Sequence, residues 1–154
     1  MLNVGIIGAG RIGKVHTESI CNYVKNARVK AIADPFLTEE TAQWAKGLGV
    51  EVVSKDYHDI LNDPDIAAVL ICSSTDTHSP ISLEAIAAGK HIFCEKPIDH
   101  DVGKIQEVLH ALEGTGLKYQ VGFNRRFDHN FEAVHNAVKA GKIGQPHIVK
   151  ITSR

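Results

Sequence analysis

Cysteine, net charge and long apolar runs are all scarce in this chain. Its 154 residues include three cysteines, Cys21, Cys72 and Cys94, an odd number with no C-x-x-C spacing. That excludes a disulfide framework, and two of the three lie in apolar runs where a thiol behaves as a small hydrophobe. None of the nine histidines falls in an H-x-x-x-H or H-E-x-x-H pattern, so no metal site is expected. Seventeen Lys plus Arg against eighteen Asp plus Glu leave a net charge of -1, without the basic excess that a nucleic-acid backbone demands. No apolar run approaches the roughly 20 residues that cross a bilayer, and no basic segment precedes the first run at residues 4–7. Repeats, low-complexity tracts and Gly/Ser linkers are also missing. These absences predict a soluble, cytoplasmic chain with reduced thiols and neither nucleic acid nor membrane as partner.

What is present is a regular alternation. A chain of about 150 residues buries about 70% of the surface its unfolded form exposes, so a core needs no staple here. Apolar, strand-like runs occur at Leu2–Ile7 and residues 29–33, 51–54, 67–72, His91–Cys94 and 118–121. Helix-length segments at residues 14–24, 39–48, 57–61, 80–88 and 106–112 separate them, Pro80 suiting a first-turn position. Near-continuous apolar strands split by helices predict an α/β fold, a doubly wound parallel sheet covered on both faces, over residues 1–122. Residues 123–154 predict a connecting helix (131–140) and a strand (146–152) that opens a second α/β domain, cut short.

The chemistry concentrates after the strands. Gly8, Gly10 and Gly13 form G-x-G-x-x-G between the first strand and the first helix. The first glycine permits the tight turn, the second lets a diphosphate approach the backbone, and the third lets helix and strand pack closely. The helix start, including Arg11 and Ile12, would present free N–H groups and partial positive charge to that anion. Asp34 lies 21 residues beyond Gly13, at the second strand's end, where a carboxylate can accept from a ribose diol. It can also serve the turn before Pro35. Pro35, Phe36 and Leu37 bring no cation for a 2′-phosphate, so the cofactor predicted is NAD rather than NADP. The same glycines match G-x-x-x-x-G-K, but Val15 has no hydroxyl for Mg²⁺, which excludes a P-loop.

Three further groups follow strand ends. Lys96, in Glu95-Lys96-Pro97, sits at the rim where open α/β sheets bind ligands, and could donate to a substrate hydroxyl or be solvated surface. Ser73, Ser74, Thr75 and His78 offer hydroxyls and an imidazole, or helix capping. Arg125 and Arg126 suit a polyhydroxylated substrate or nearby carboxylates equally.

Taken together, GAGRIG, Asp34, SSTDTH, Glu95-Lys96-Pro97 and GFNRRFD (residues 122–128) resemble the Gfo/Idh/MocA family of oxidoreductases, and within it the branch acting on inositols. The resemblance implies a Rossmann-fold NAD-binding domain, hydride transfer between NAD and a cyclitol or sugar hydroxyl carbon, myo-inositol foremost, and homo-oligomers of the intact protein. It implies Lys96 as catalytic lysine and cofactor contacts from the glycine loop, Asp34, Ser73, Ser74, Thr75, His78, Glu95 and Lys96. It places Asn124, Arg125 and Arg126 where substrate meets nicotinamide, and implies a cis Lys96-Pro97 bond. The family's Asp-x-x-x-His pair is missing, since no histidine here has an aspartate four residues earlier. Without that base the chain is expected to bind NAD and turn over poorly. The alternative is a non-catalytic dinucleotide-binding module or regulator. A short-chain dehydrogenase is excluded because no Tyr-x-x-x-Lys occurs.

Overall fold

The six apolar runs become six strands, and the central ones bury residues on both faces between helices. The computed structural model describes residues 1–152. In chain order the elements are β1 (Leu2–Ile7), α1 (Arg11–Tyr23), β2 (Ala27–Ala33), α2 (Glu39–Gly47), β3 (Val52–Ser54) and α3 (His58–Leu61). There follow β4 (Ala68–Ile71), α4 (Thr75–Ala87), β5 (His91–Cys94), α5 (Val102–Leu112) and β6 (Tyr119–Val121). A 3₁₀ turn (Asn124–Phe127) and α6 (His129–Lys139) complete the set. The strand order is β3-β2-β1-β4-β5-β6, and every pairing is parallel. This is the doubly wound order of a Rossmann fold, with its reversal between β1 and β4.

Side-chain alternation along the strands feeds two cores, one on each face of the sheet. Val69 and Ile71 of β4 join Ile92 and Cys94 of β5 in one core, with Ile81, Ala85 and Val108 from the covering helices. Leu70 and Cys72 join Val4, Ile6 and Ile32 in the other, against Ala45 of α2. Because all strands run the same way, their C-terminal ends share one edge of the sheet. The glycine loop, Asp34, Ser73 and Glu95-Lys96 therefore converge there.

Two expectations need correction. The fourth helix begins at Thr75 rather than at Pro80, which lies inside it. Pro80 is exposed, and the carbonyl that its missing N–H would have served belongs to Asp76, which also faces solvent, so the helix continues through it. Residues 146–152 form no strand. Alternating Ile148, Lys150 and Thr152 against Val149 and Ile151 defines two faces, but a strand exists only when a partner takes its backbone hydrogen bonds, and none does among the described residues.

Met1–Gly122 forms one compact unit, and the described residues from Phe123 onward form another. Within the second, Asp128 caps α6 by accepting from the backbone N–H groups of Asn130 (2.9 Å) and Phe131 (3.2 Å).

Candidate cofactor site at the strand ends

Each glycine of the first loop has a different physical reason. Gly8 has φ +101°, and a Cβ there would lie 2.6 Å from the Cys72 carbonyl carbon and the Ser73 nitrogen, so the turn is pressed against the end of β4. A Cβ on Gly13 would fall 1.9 Å from the Gly8 carbonyl oxygen, which means α1 packs directly on the loop. Gly10 is the informative one. A Cβ there would meet nothing within 4 Å, so no protein contact demands glycine at this position.

Gly10 is also the N-cap of α1, with no side-chain cap and no acidic residue in the first turn. The first intrahelical bond runs from the Lys14 N–H to the Gly10 carbonyl at 3.0 Å. The N–H groups of Arg11, Ile12 and Gly13 thus end the helix without intrahelical acceptors and carry its positive partial charge. An open backbone above three free donors fits an anionic diphosphate.

Asp34 is fastened to that loop. Its Oδ2 accepts from the Ala9 N–H at 2.7 Å, and its Oδ1 accepts from the Phe36 N–H at 2.8 Å. The second bond is the turn-forming role that the sequence also allowed; the first joins β2 to the glycine loop. Each carboxylate oxygen retains acceptor capacity for a hydroxyl. These residues fit the dinucleotide that the loop implies.

The ends of β4 and β5 supply the rest. Ser73 Oγ lies 2.7 Å from Thr77 Oγ1, and Ser74 is the N-cap of α4 without a side-chain cap bond. Lys96 is exposed, and the Lys96-Pro97 bond is cis as expected. His78 is buried. Its ring is 2% exposed, with Nδ1 2.7 Å from the Pro97 carbonyl oxygen and Nε2 3.0 Å from the Ser73 carbonyl oxygen. Both ring nitrogens therefore face backbone carbonyls of the two loops that follow β4 and β5.

Sequence reasoning missed two groups. His16 Nε2 lies 2.8 Å from Glu95 Oε1, while its ring meets Phe93 edge-on at 5.1 Å. Glu95 Oε2 accepts from the Lys96 N–H at 3.3 Å, so this carboxylate links α1 to the lysine loop. The available signal was spacing: His16 stands between Ile12 and Ile20 at i, i+4 intervals, in the apolar stripe of the helix that opens on the glycine loop. The other is Asp99, 7% exposed, which accepts from Ser79 Oγ at 2.6 Å and from the Asp101 N–H at 3.0 Å. The Ser79 hydroxyl holds this carboxyl below its ordinary range.

Asn124, Arg125 and Arg126 lie on the 3₁₀ turn of the second unit, all exposed, with the Arg125 guanidinium 4.7 Å from the Phe131 ring centroid. Among the described residues no group of three or more His, Cys, Asp or Glu could hold a metal ion, and no helix is long and apolar enough to cross a membrane. Cys72 and Cys94 are buried free thiols, burial pushing Cys72 up to about 12.

Comparison with known proteins agrees with this geometry. The family model for the Gfo/Idh/MocA oxidoreductases, described as an oxidoreductase family with an NAD-binding Rossmann fold, matches residues 2–123. The myo-inositol 2-dehydrogenase of Thermotoga maritima is 39% identical over 99% of this chain and 45% of its own length. An inositol 2-dehydrogenase of Rhizobium meliloti is 45% identical over 97% of this chain and 44% of its own. A crystal structure of scyllo-inositol dehydrogenase from Lactobacillus casei, with bound NAD(H) and scyllo-inositol, superposes with a TM-score of 0.86. It is 37% identical and is covered over 43% of its length, against 94% of this chain. The chain thus spans less than half the length of these relatives. Their names give the alternative of a non-catalytic regulator no support. With an open glycine loop, an anchored acidic residue at the second strand and a family match over most of its length, this chain belongs to the Gfo/Idh/MocA oxidoreductases, of which it carries the NAD-binding Rossmann fold.

Proposed function

We propose that the chain is the cofactor-holding part of an NAD-dependent dehydrogenase that oxidises a ring hydroxyl of a cyclitol or sugar, myo-inositol foremost. The diphosphate sits over Gly10 on the free N–H groups of Arg11, Ile12 and Gly13. Asp34 accepts from the adenosine ribose diol, and Ser73, Ser74, Thr75 and Glu95 line the path towards Lys96. When bound, NAD supplies the hydride acceptor. Lys96 donates to the substrate hydroxyl oxygen and holds charge there as the proton leaves, while Asn124, Arg125 and Arg126 orient the polyol. Residues 123–154 lead into a second domain, and the intact protein is a homo-oligomer. Removing the hydroxyl proton needs a positioned base, which this chain lacks in its Asp-x-x-x-His form, so the chain alone has little turnover. Buried free thiols support a reducing, cytoplasmic setting.

One observation carries the cofactor assignment: Asp34 is held at 2.7 Å from the Ala9 N–H, beside the only unobstructed glycine of the fingerprint. A carboxylate in this place gains roughly 1.5–3 kcal/mol from a 2′-hydroxyl and repels a 2′-phosphate. Calorimetric titration is the test. NAD binds more tightly than NADP, Asp34→Ala weakens NAD, and Lys96→Ala leaves NAD affinity in place. Tighter NADP binding would overturn the assignment. Oxidation of myo-inositol by the 154-residue chain at the rate of intact family members would overturn the view that its base is missing.

A further inference from the structure

His78 sits between two carbonyl oxygens and nothing that can donate to it from the backbone. Its Nδ1 is 2.7 Å from the Pro97 oxygen and its Nε2 3.0 Å from the Ser73 oxygen. Carbonyl oxygens only accept, and a neutral imidazole has one N–H. In the neutral form, one of these short contacts would set a ring lone pair against carbonyl lone pairs at a residue only 2% exposed. Both contacts are hydrogen bonds only if both nitrogens carry protons.

The two carbonyls belong to different loops. Ser73 follows β4 and precedes the Ser74 cap of α4; Pro97 directly follows Lys96 beyond β5. The next residue of α4, Ser79, donates to Asp99 at 2.6 Å, so consecutive α4 side chains grip the lysine loop at two points. Asp99 gives that loop a second anchor that bears no charge change on the ring.

We propose that His78 is a positioning residue held as an imidazolium, and that its two N–H donors tie the loop opening α4 to the loop carrying Lys96, keeping the lysine in register with the cofactor. The register with the cofactor rests on the function proposed above; the charged tie itself does not. Burial opposes the charge, but the Cys94 sulfur and the carbonyls of Pro97 and Ser73 outweigh it and raise the ring to about 9. The titratable neighbour is the Cys94 thiol of β5; beyond it stands Tyr119 of β6, raised by burial and bonded to Ser82 at 3.0 Å.

Nitrogen NMR of the wild-type chain tests the charge. Near neutral pH both His78 ring nitrogens are protonated, each with a slowly exchanging N–H, and they lose that signature only towards pH 9. A single unprotonated ring nitrogen near neutral pH overturns the proposal, whether or not NAD binds. The tie is tested by amide hydrogen exchange in His78→Gln, whose amide can reach a carbonyl but carries no charge. Exchange at the Lys96 and Ile98 amides rises about tenfold, the loss of one charge-assisted bond, while β5 stays protected. Unchanged exchange there overturns the tie. Saturating NAD slows the Lys96 amide in the wild type and does so less in His78→Gln; equal slowing in both overturns the register. A wild type that gives no heat with NAD would instead defeat the function, and the ring spectrum would still decide the charge by itself. Should His78→Gln fail to fold, the wild-type ring spectrum and its alkaline titration still decide.

Discussion

Gly10 and Gly13 stand three residues apart in one motif, yet adding a methyl group to each has opposite consequences. At Gly13 the new Cβ would lie 1.9 Å from the Gly8 oxygen, against at least 3.4 Å in ordinary contact, so α1 would have to move about 1.5 Å off the loop. Overpacking of that kind against backbone costs about 3 kcal/mol. At roughly 2–4 °C per kcal/mol for a domain of this size, Gly13→Ala lowers Tm by about 6–12 °C. At Gly10 the Cβ meets nothing. Alanine is a poorer N-cap than glycine by about 0.5–1 kcal/mol, and the stiffer unfolded chain returns about 0.4–1 kcal/mol, so Gly10→Ala moves Tm by no more than about 2 °C. Its methyl group stands where the diphosphate approaches, and NAD affinity falls at least about tenfold, or 1.4 kcal/mol. Thermal melts by far-UV circular dichroism and calorimetric titration on both variants separate the effects. A Gly10→Ala protein that melts early but binds NAD normally would refute the reasoning, as would a Gly13→Ala protein as stable as wild type.

Asp34→Ala loses about tenfold to a hundredfold in NAD affinity, and the ratio of NAD to NADP affinity falls with it, as paired titrations will read; an unchanged ratio removes Asp34 from the ribose. His78 is raised above its ordinary 6.5 to about 9 in the fold, so its contribution to stability is complete below pH 6.5 and is lost as pH rises through about 9. Urea midpoints of the wild type therefore decline across that interval more steeply than those of His78→Gln, and parallel curves would contradict the assignment. Lys90, buried, donates to the Asp63 and Ile66 carbonyls at 2.6 and 2.8 Å, so Lys90→Met orphans two acceptors, costs about 2–3 kcal/mol and leaves NAD affinity unchanged; a melt within error of wild type counts against it.

The sheet was legible because its signals are local. Six apolar runs, interrupted at helix length, specify six strands, and the glycine turn after Ile7 marks where α1 begins. The candidate cofactor residues could be named for the same reason, since each follows a strand. Contacts between distant positions were not legible. Nothing near His78 in sequence reveals the Pro97 carbonyl 19 residues on, and His16 meets Glu95 across 79 residues. Pro80 misleads because proline favours a first turn, whereas an exposed position deeper in a helix also tolerates it. Residues 146–152 mislead because alternation identifies two faces but not a partner for the backbone.

A crystal structure of this chain with NAD tests the central claim most directly. It is predicted to show the diphosphate over Gly10, bonded to the first N–H groups of α1, and both adenosine ribose hydroxyls on Asp34. A dinucleotide bound elsewhere on the molecule, or a crevice left vacant at saturating NAD, would contradict it.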